Sequence, residues 1–167
     1  MKQSAKWIVL PAIVVLAGLY AGAARSDDAS IIDERQAHMK AQFKDIATIR
    51  AFLEGKADLA AAQSAGADLA TRIAKIPDLF PKGTGLDAYP GKSFAKPAIW
   101  SDHDKFVEAD KNALTAAEAL NAVLKGDDKD AIKAAAGNMT RDFWGTSSPN
   151  PGACGGCHST FTLKRPS

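Results

Sequence analysis

Near its C-terminus the chain places two cysteines and a histidine at a spacing that can attach a cofactor. The segment reads Cys154-Gly-Gly-Cys157-His158, which matches the C-x-x-C-H signature for covalent attachment of a c-type haem. Two thiols three residues apart can add to the two vinyl groups of one haem, and the histidine that follows is placed to bind the iron as an axial ligand. The sequence therefore predicts one covalently bound haem c on Cys154, Cys157 and His158.

Two other uses of the C-x-x-C spacing are disfavoured by the rest of the chain. A thioredoxin-like dithiol is expected near a βαβ pattern, and no such pattern is present. A structural zinc site needs a second pair of ligands, whereas the chain contains only these two cysteines. Haem attachment is therefore the favoured interpretation of the motif.

The length and charge of the chain limit the number of domains and the kinds of partner. The chain has 167 residues, which favours one domain. Its formal net charge of +2 equals the contribution of the two lysines near the N-terminus, so the remaining basic and acidic residues balance. Because no dense basic patch stands out, we expect no nucleic-acid partner. The near-zero charge also argues against strong electrostatic steering toward an oppositely charged redox partner.

The N-terminal segment reads as a separate module. Two lysines precede an apolar run over residues 7–24, which contains the cleavage-like triplet Ala21-Gly22-Ala23, as in an export signal. The run is near the lower limit of about 17–25 residues for a membrane span, so an uncleaved anchor is the alternative. We predict residues 1–24 to be a signal peptide or membrane anchor and residues 25–167 to be the haem domain. Either interpretation places the domain in the periplasm, soluble or tethered to the inner membrane, with membrane contact only if the segment is retained.

Four segments space their apolar residues three and four apart, as on one face of a helix. The inward face of the first includes Met39 and Phe43. Two short connections and one long one join the segments, which predicts an all-α fold, an antiparallel four-helix bundle. The predicted helices cover 31–53, 59–76, a third with Ser101 as its N-cap and Gly126 at its end, and a fourth from Asp128 through Phe143.

Two stretches rich in proline and glycine interrupt this pattern. The first joins the second and third helices over about 23 residues, which is long for an ordinary connection and predicts a loop that is functional or packed on the bundle. The second, residues 145–152, cannot continue a helix, so the fourth helix is expected to break there. A short helix from Cys154 to about Leu163 would then carry the haem motif.

Together these features resemble the class II c-type cytochromes, which comprise cytochrome c′ and its low-spin relatives of the cytochrome c-556 type. The main feature in common is a C-terminal C-x-x-C-H motif on an alanine-rich helical bundle. The resemblance as a whole covers about Ile32 to Leu163. The resemblance implies a four-helix bundle with covalent haem, and a homodimer is implied by the resemblance alone. The local matches are Arg35-Gln-Ala-His-Met39-Lys40, Leu79-Phe80-Pro81, the stretch from Ala95 to Asp102 with Phe106, and Phe161 after the haem motif.

The sixth ligand of the iron divides this family. Met39 falls where low-spin members carry a methionine, so the resemblance implies His158/Met39 ligation. From the spacing alone, Met39 points inward and a core-filling methionine is the alternative. His38 is rotated by about 100° from Met39 and is expected at the surface. Met139 is expected to pack in the core.

Arg35 lies one turn before Met39. It would pair with a haem propionate, because a guanidinium suits carboxylate geometry, or else be a solvated surface charge. Trp100, Phe80 and Phe161 would pack on the porphyrin or in the ordinary core.

The predicted function is a non-enzymatic carrier of single electrons between redox partner proteins, through a low-spin His/Met haem. One alternative is a five-coordinate, cytochrome c′-like protein that binds a small gas. Another is a membrane-tethered electron-transfer subunit of a larger complex, which would retain the N-terminal segment.

Overall fold

A computed structural model describes residues 18–141 and 152–164, and in that part of the chain helices dominate. The helices are α1 Gly18–Leu53, α2 Leu59–Ile73, α3 Ala98–Ser101, α4 His103–Val123, α5 Lys129–Thr140 and α6 Ala153–Phe161, with a 3₁₀ turn at Pro77–Leu79. The predicted all-α class is confirmed. Within the described residues, no helix is both long and apolar enough to cross a membrane.

The four long helices form a ring in which each packs against two others, and they enclose one core. α1 packs on α2, α2 on α4, α4 on α5, and α5 returns to α1, which is the predicted four-helix bundle. The residues predicted to point inward supply most of the core, and Met139 is completely buried there as expected. The other large, fully buried aliphatic and aromatic side chains are Ile32, Ile49, Leu69, Ile73, Ile99, Phe106, Leu120, Leu124 and Ile132.

Aspartates cap two of the bundle helices. Asp58 accepts a hydrogen bond from the backbone N–H of Ala61 at 2.7 Å, and Asp128 accepts from the N–H groups of Asp130 and Ala131 at 3.0 Å each. These side chains satisfy donors that the first helical turn leaves unpaired. The predicted start near Asp128 is therefore confirmed.

The prediction that Ser101 caps the third bundle helix is wrong. Pro97 already has helical backbone angles, with φ −53° and ψ −27°, because its ring fixes φ near the helical value. A separate turn, α3, therefore forms first and Ser101 is its last residue. Asp102 precedes α4 and makes no side-chain capping bond.

The first helix begins well before the predicted start at residue 31. α1 already includes Gly18 and runs unbroken to Leu53, because residues 18–30 are rich in alanine and contain no proline. The helix thus passes through the predicted module boundary after residue 24, and that boundary stays a prediction. Phe143 and residues 145–151 of the predicted break lie outside the described residues.

The predicted short C-terminal helix is confirmed as α6, and two features hold it in place. At its start, Gly152 donates to the Arg141 carbonyl at 2.6 Å, and a Cβ on Gly152 would lie 2.7 Å from the Met139 carbonyl oxygen. At its end, the Lys96 N–H donates to the Phe161 carbonyl at 2.9 Å. The long loop is therefore packed on the bundle, as predicted, and it fixes one end of α6.

Candidate haem site

Helix α6 presents Cys154, Cys157 and His158 to one cavity. Residues three and four apart lie on the same side of an α-helix, so the C-x-x-C-H spacing brings all three side chains together. Both cysteines are free thiols, and all three side chains line the same cavity. The structure thus assembles the three residues that the motif singled out.

Met39 on α1 lines this cavity as well. Much of the remaining wall is aromatic: the Phe106 ring lies edge-on to Phe80 at 5.1 Å and to Phe161 at 5.4 Å between ring centroids. Aromatic rings exclude water and can pack against a flat ligand. The cavity therefore combines two sulfur-bearing groups and an imidazole from α6, a thioether from α1, and apolar walls.

A second cavity of about 330 Å³ adjoins the first. Met39, Phe43 and His158 line both, so the two form one cleft that reaches from α6 to Arg35. Phe43 was expected on the buried face of the first helix, yet it is 65% exposed. Its side chain lines both parts of the cleft instead of packing in the bundle core.

Burial keeps the haem-motif side chains uncharged. It lowers the pKa of His158 to about 4, so the imidazole is neutral near pH 7 and has a lone pair to offer a metal. Burial raises the pKa of Cys154 to about 11. Burial, followed by the charges of Asp110 and Cys154, raises the pKa of Cys157 to about 12. Neutral thiols and a neutral imidazole suit an apolar cavity.

Arg35 is buried at the far end of the cleft and holds the long loop. Its Nη2 donates to the Thr84 carbonyl at 2.9 Å and to the Ser93 hydroxyl at 3.3 Å. Its guanidinium lies 4.3 Å from the centre of the Phe80 ring. Burial lowers its pKa to about 10, which leaves it charged at neutral pH. The interpretation of Arg35 as a solvated surface charge is therefore wrong, and its side chain lines the second cavity.

Two other residues considered from the sequence turn away from the cleft. His38 was expected at the surface, but it is half-buried, and its Nε2 lies 2.7 Å from the Arg72 carbonyl oxygen on α2. Its direction away from the cleft agrees with its rotation from Met39. Trp100 donates from Nε1 to the Phe80 carbonyl at 2.9 Å and so fastens the loop. Phe80 and Phe161, in contrast, line the first cavity.

Sequence reasoning missed two inward polar residues, Gln42 and Asp110. Both are buried and line the first cavity. The Gln42 Nε2 and one Asp110 carboxylate oxygen have no hydrogen-bond partner among the described residues. Their positions could have revealed them, because Gln42 follows Met39 by three residues and Asp110 follows Phe106 by four, each on an inward helix face. Burial raises the pKa of Asp110 to about 6.

These residues fit a haem. Two unpaired thiols and a neutral imidazole occupy one helix face, and they border an apolar, aromatic-walled cavity. The family described as cytochrome C′ matches residues 30–162. The chain belongs to the cytochrome c′ family. Its cofactor is accordingly a covalently attached haem c, and it is a c-type cytochrome.

Similar proteins agree in sequence and in fold. A cytochrome c′ from Rubrivivax gelatinosus is 33% identical over 134 residues, which are 80% of this chain and 94% of the relative. A cytochrome c-556 from Agrobacterium fabrum is 30% identical over 139 residues, covering 80% of this chain and 82% of the relative. The crystal structure of the Rubrivivax gelatinosus cytochrome c′ matches with a TM-score of 0.63 and 29% identity, over 81% of this chain and 97% of the other.

Proposed function

We propose that this cytochrome carries single electrons, with its haem attached to Cys154 and Cys157 and the iron held between His158 and Met39. The haem supplies an iron centre that takes up and releases one electron. Two thioether links fix the haem to α6, so the imidazole of the adjacent His158 has a constant position relative to it.

The placement of Met39 supports this proposal. Met39 projects from α1 into both parts of the cleft, and His158 from α6 lines the same two parts. Imidazole and thioether form an established pair of haem ligands, and the methionine raises the reduction potential. Because the chain itself supplies both ligands, electron uptake and release need no entry or loss of a ligand.

The remaining lining residues have supporting roles in the proposal. Phe80, Phe106 and Phe161 exclude water from the cofactor. Arg35 keeps the long loop on the bundle through its hydrogen bonds. It also presents a buried positive charge to the second cavity, where a haem propionate would find a favourable partner.

The proposed site of action is the periplasm. The basic and apolar residues 1–24 direct export and are removed as a signal peptide, or they remain as an inner-membrane tether. Residues 25–167 form the haem domain. The partners are other redox proteins, with a homodimer as a further possibility, and the protein is not an enzyme.

A five-coordinate, gas-binding cytochrome is the second candidate. Relatives named cytochrome c′ and a relative named cytochrome c-556 have similar identity to this chain. Met39 is only partly buried, so it can pack in the cavity wall without binding iron. In this alternative the iron keeps an open position on the Met39 side.

Carbon monoxide separates the two candidates, because it binds reduced iron that has an open position. The experiment follows the absorption spectrum of the reduced native protein and of two variants, Met39→Ala and Met139→Ala. Met139 is a matched control, since it is completely buried but lines neither cavity. We expect rapid binding only in Met39→Ala. Immediate binding by the wild type, at the rate of Met39→Ala, would establish the second candidate.

A further inference from the structure

Asp110 is a buried carboxyl group beside the haem attachment residues. It lies on α4, which packs against α6, and it lines the same cavity as Cys157 and His158. Its charge contributes to the raised pKa of the Cys157 thiol, in keeping with the cavity that the two side chains share. Asp110 is 6% exposed, so water does little to screen its charge.

Part of this carboxyl group has no structural partner in the described part of the protein. One of its oxygens is buried and lacks a hydrogen-bond partner there. Burial is the only cause of its raised pKa, and no neighbouring basic side chain opposes that effect. A buried carboxyl group with neither a full set of hydrogen bonds nor a basic neighbour lowers the stability of the folded state. An effect of this carboxyl on the cofactor would explain why the chain has it at this position.

We propose that Asp110 tunes the haem's reduction potential: its carboxylate favours the oxidised over the reduced cofactor. One-electron reduction removes one positive charge from the iron centre, while the negative charge on Asp110 stays in place. The attraction is therefore stronger in the oxidised state, and low polarity around a buried charge strengthens it further. The electron in this step comes from any one-electron donor, and no proton transfer is needed.

The other groups that face Asp110 do not supply the same effect. The side chains that line its cavity from α1 and α2 are uncharged. On α6, the titratable side chains in that cavity are Cys154, Cys157 and His158, of which the cysteines become thioethers and the histidine becomes the ligand. Arg35 lines only the adjoining cavity.

This inference goes beyond the proposed function, because it requires only haem at Cys157 and does not depend on Met39. The test is a mediated redox titration of the native, haem-loaded protein and of Asp110→Asn. Glu118→Gln is the matched control, since it removes the same charge from an exposed position on the same helix that lines none of the cavities beside the haem motif. In Asp110→Asn, we expect the ratio of reduced to oxidised protein at a fixed solution potential and neutral pH to rise about tenfold, which is 59 mV for a one-electron couple.

The control should change this ratio by less than about twofold, because solvent and salt screen an exposed charge. An unchanged potential in Asp110→Asn with an intact spectrum would refute the proposal, as would equal shifts in both variants. The wild type gives an independent test if Asp110→Asn fails to fold. Its potential should fall as the pH rises from about 4 to about 8 and the carboxyl ionises. A flat profile would overturn the proposal. Where Asp110→Asn does fold, a slope that persists unchanged in this variant would overturn it as well.

Discussion

Met39 on α1 and His158 on α6 border the same two adjoining cavities, although they lie at opposite ends of the described chain. The bundle brings α1 to this cleft, while Gly152 and the long loop fix the two ends of α6. The relationship gives the proposed ligand pair a structural basis and leads to predictions for each part of the site.

Replacement of the cysteines should change how the haem is held. The wild type should keep its colour with the protein after acid-acetone extraction, because thioether links survive this treatment. Cys154→Ala and Cys157→Ala should each keep one link and mature poorly. The double variant should hold no covalent haem. Release of colour into the organic phase by the wild type would contradict the attachment.

His158→Ala should lose the native absorption spectrum, because the neutral imidazole on α6 is the proposed proximal ligand. His103→Ala is a suitable control, since His103 is an exposed residue at the start of α4. The measurement is the Soret band and the reduction potential of both variants. A His158→Ala protein with an unchanged band and potential would exclude this role.

Arg35→Gln should destabilise the protein by roughly 2–4 kcal/mol, because it removes charged donors from the buried acceptors Thr84 and Ser93. Lys92→Gln provides a comparison. Lys92 also joins the loop to α1, through Asp33, but the two side chains are 39% and 66% exposed, so its loss should cost less than about 1 kcal/mol. Urea unfolding of the haem-loaded variants measures both effects. Equal losses would show that burial of Arg35 is not important for stability.

Asp110→Asn should also change how stability depends on pH. Burial raises the pKa of the folded-state carboxyl to about 6, above its unfolded value, so ionisation disfavours the folded state. The wild type should therefore lose stability as the pH rises from about 4 through about 6, whereas the Asn variant should not. At neutral pH, we expect the variant to be more stable by about 1–3 kcal/mol. Parallel pH profiles from urea unfolding would contradict this expectation.

The sequence predicted the bundle well because helical periodicity is a local property. Apolar residues three and four apart fixed which faces of α2 and α4 are buried, and the aspartate before α5 marked where that helix begins. Ser101 does not cap a helix because Pro97 starts a separate helical turn four residues earlier. The presence of a residue type that favours N-caps does not exclude such an earlier turn.

The site was predicted less completely, because its walls come from helices far apart in the chain. The C-x-x-C-H spacing identified the residues on α6, and the family resemblance identified Met39. Asp110 was not predicted as a site residue, because the buried face of α4 was defined from its apolar residues alone. Its spacing of four residues from Phe106 nevertheless places it on that face. Phe43 lines the cleft and not the bundle core, a distinction that a periodic pattern cannot show.

The near-infrared spectrum of the oxidised wild-type protein tests ligation by Met39 most directly. A sulfur atom bound to ferric iron gives a weak charge-transfer band in this region. We predict that the wild type and Met139→Ala show the band, and that Met39→Ala lacks it, becomes high-spin and has a lower potential. A wild type without the band, with a high-spin spectrum that Met39→Ala does not alter, would contradict the account and make Met39 an ordinary packing residue.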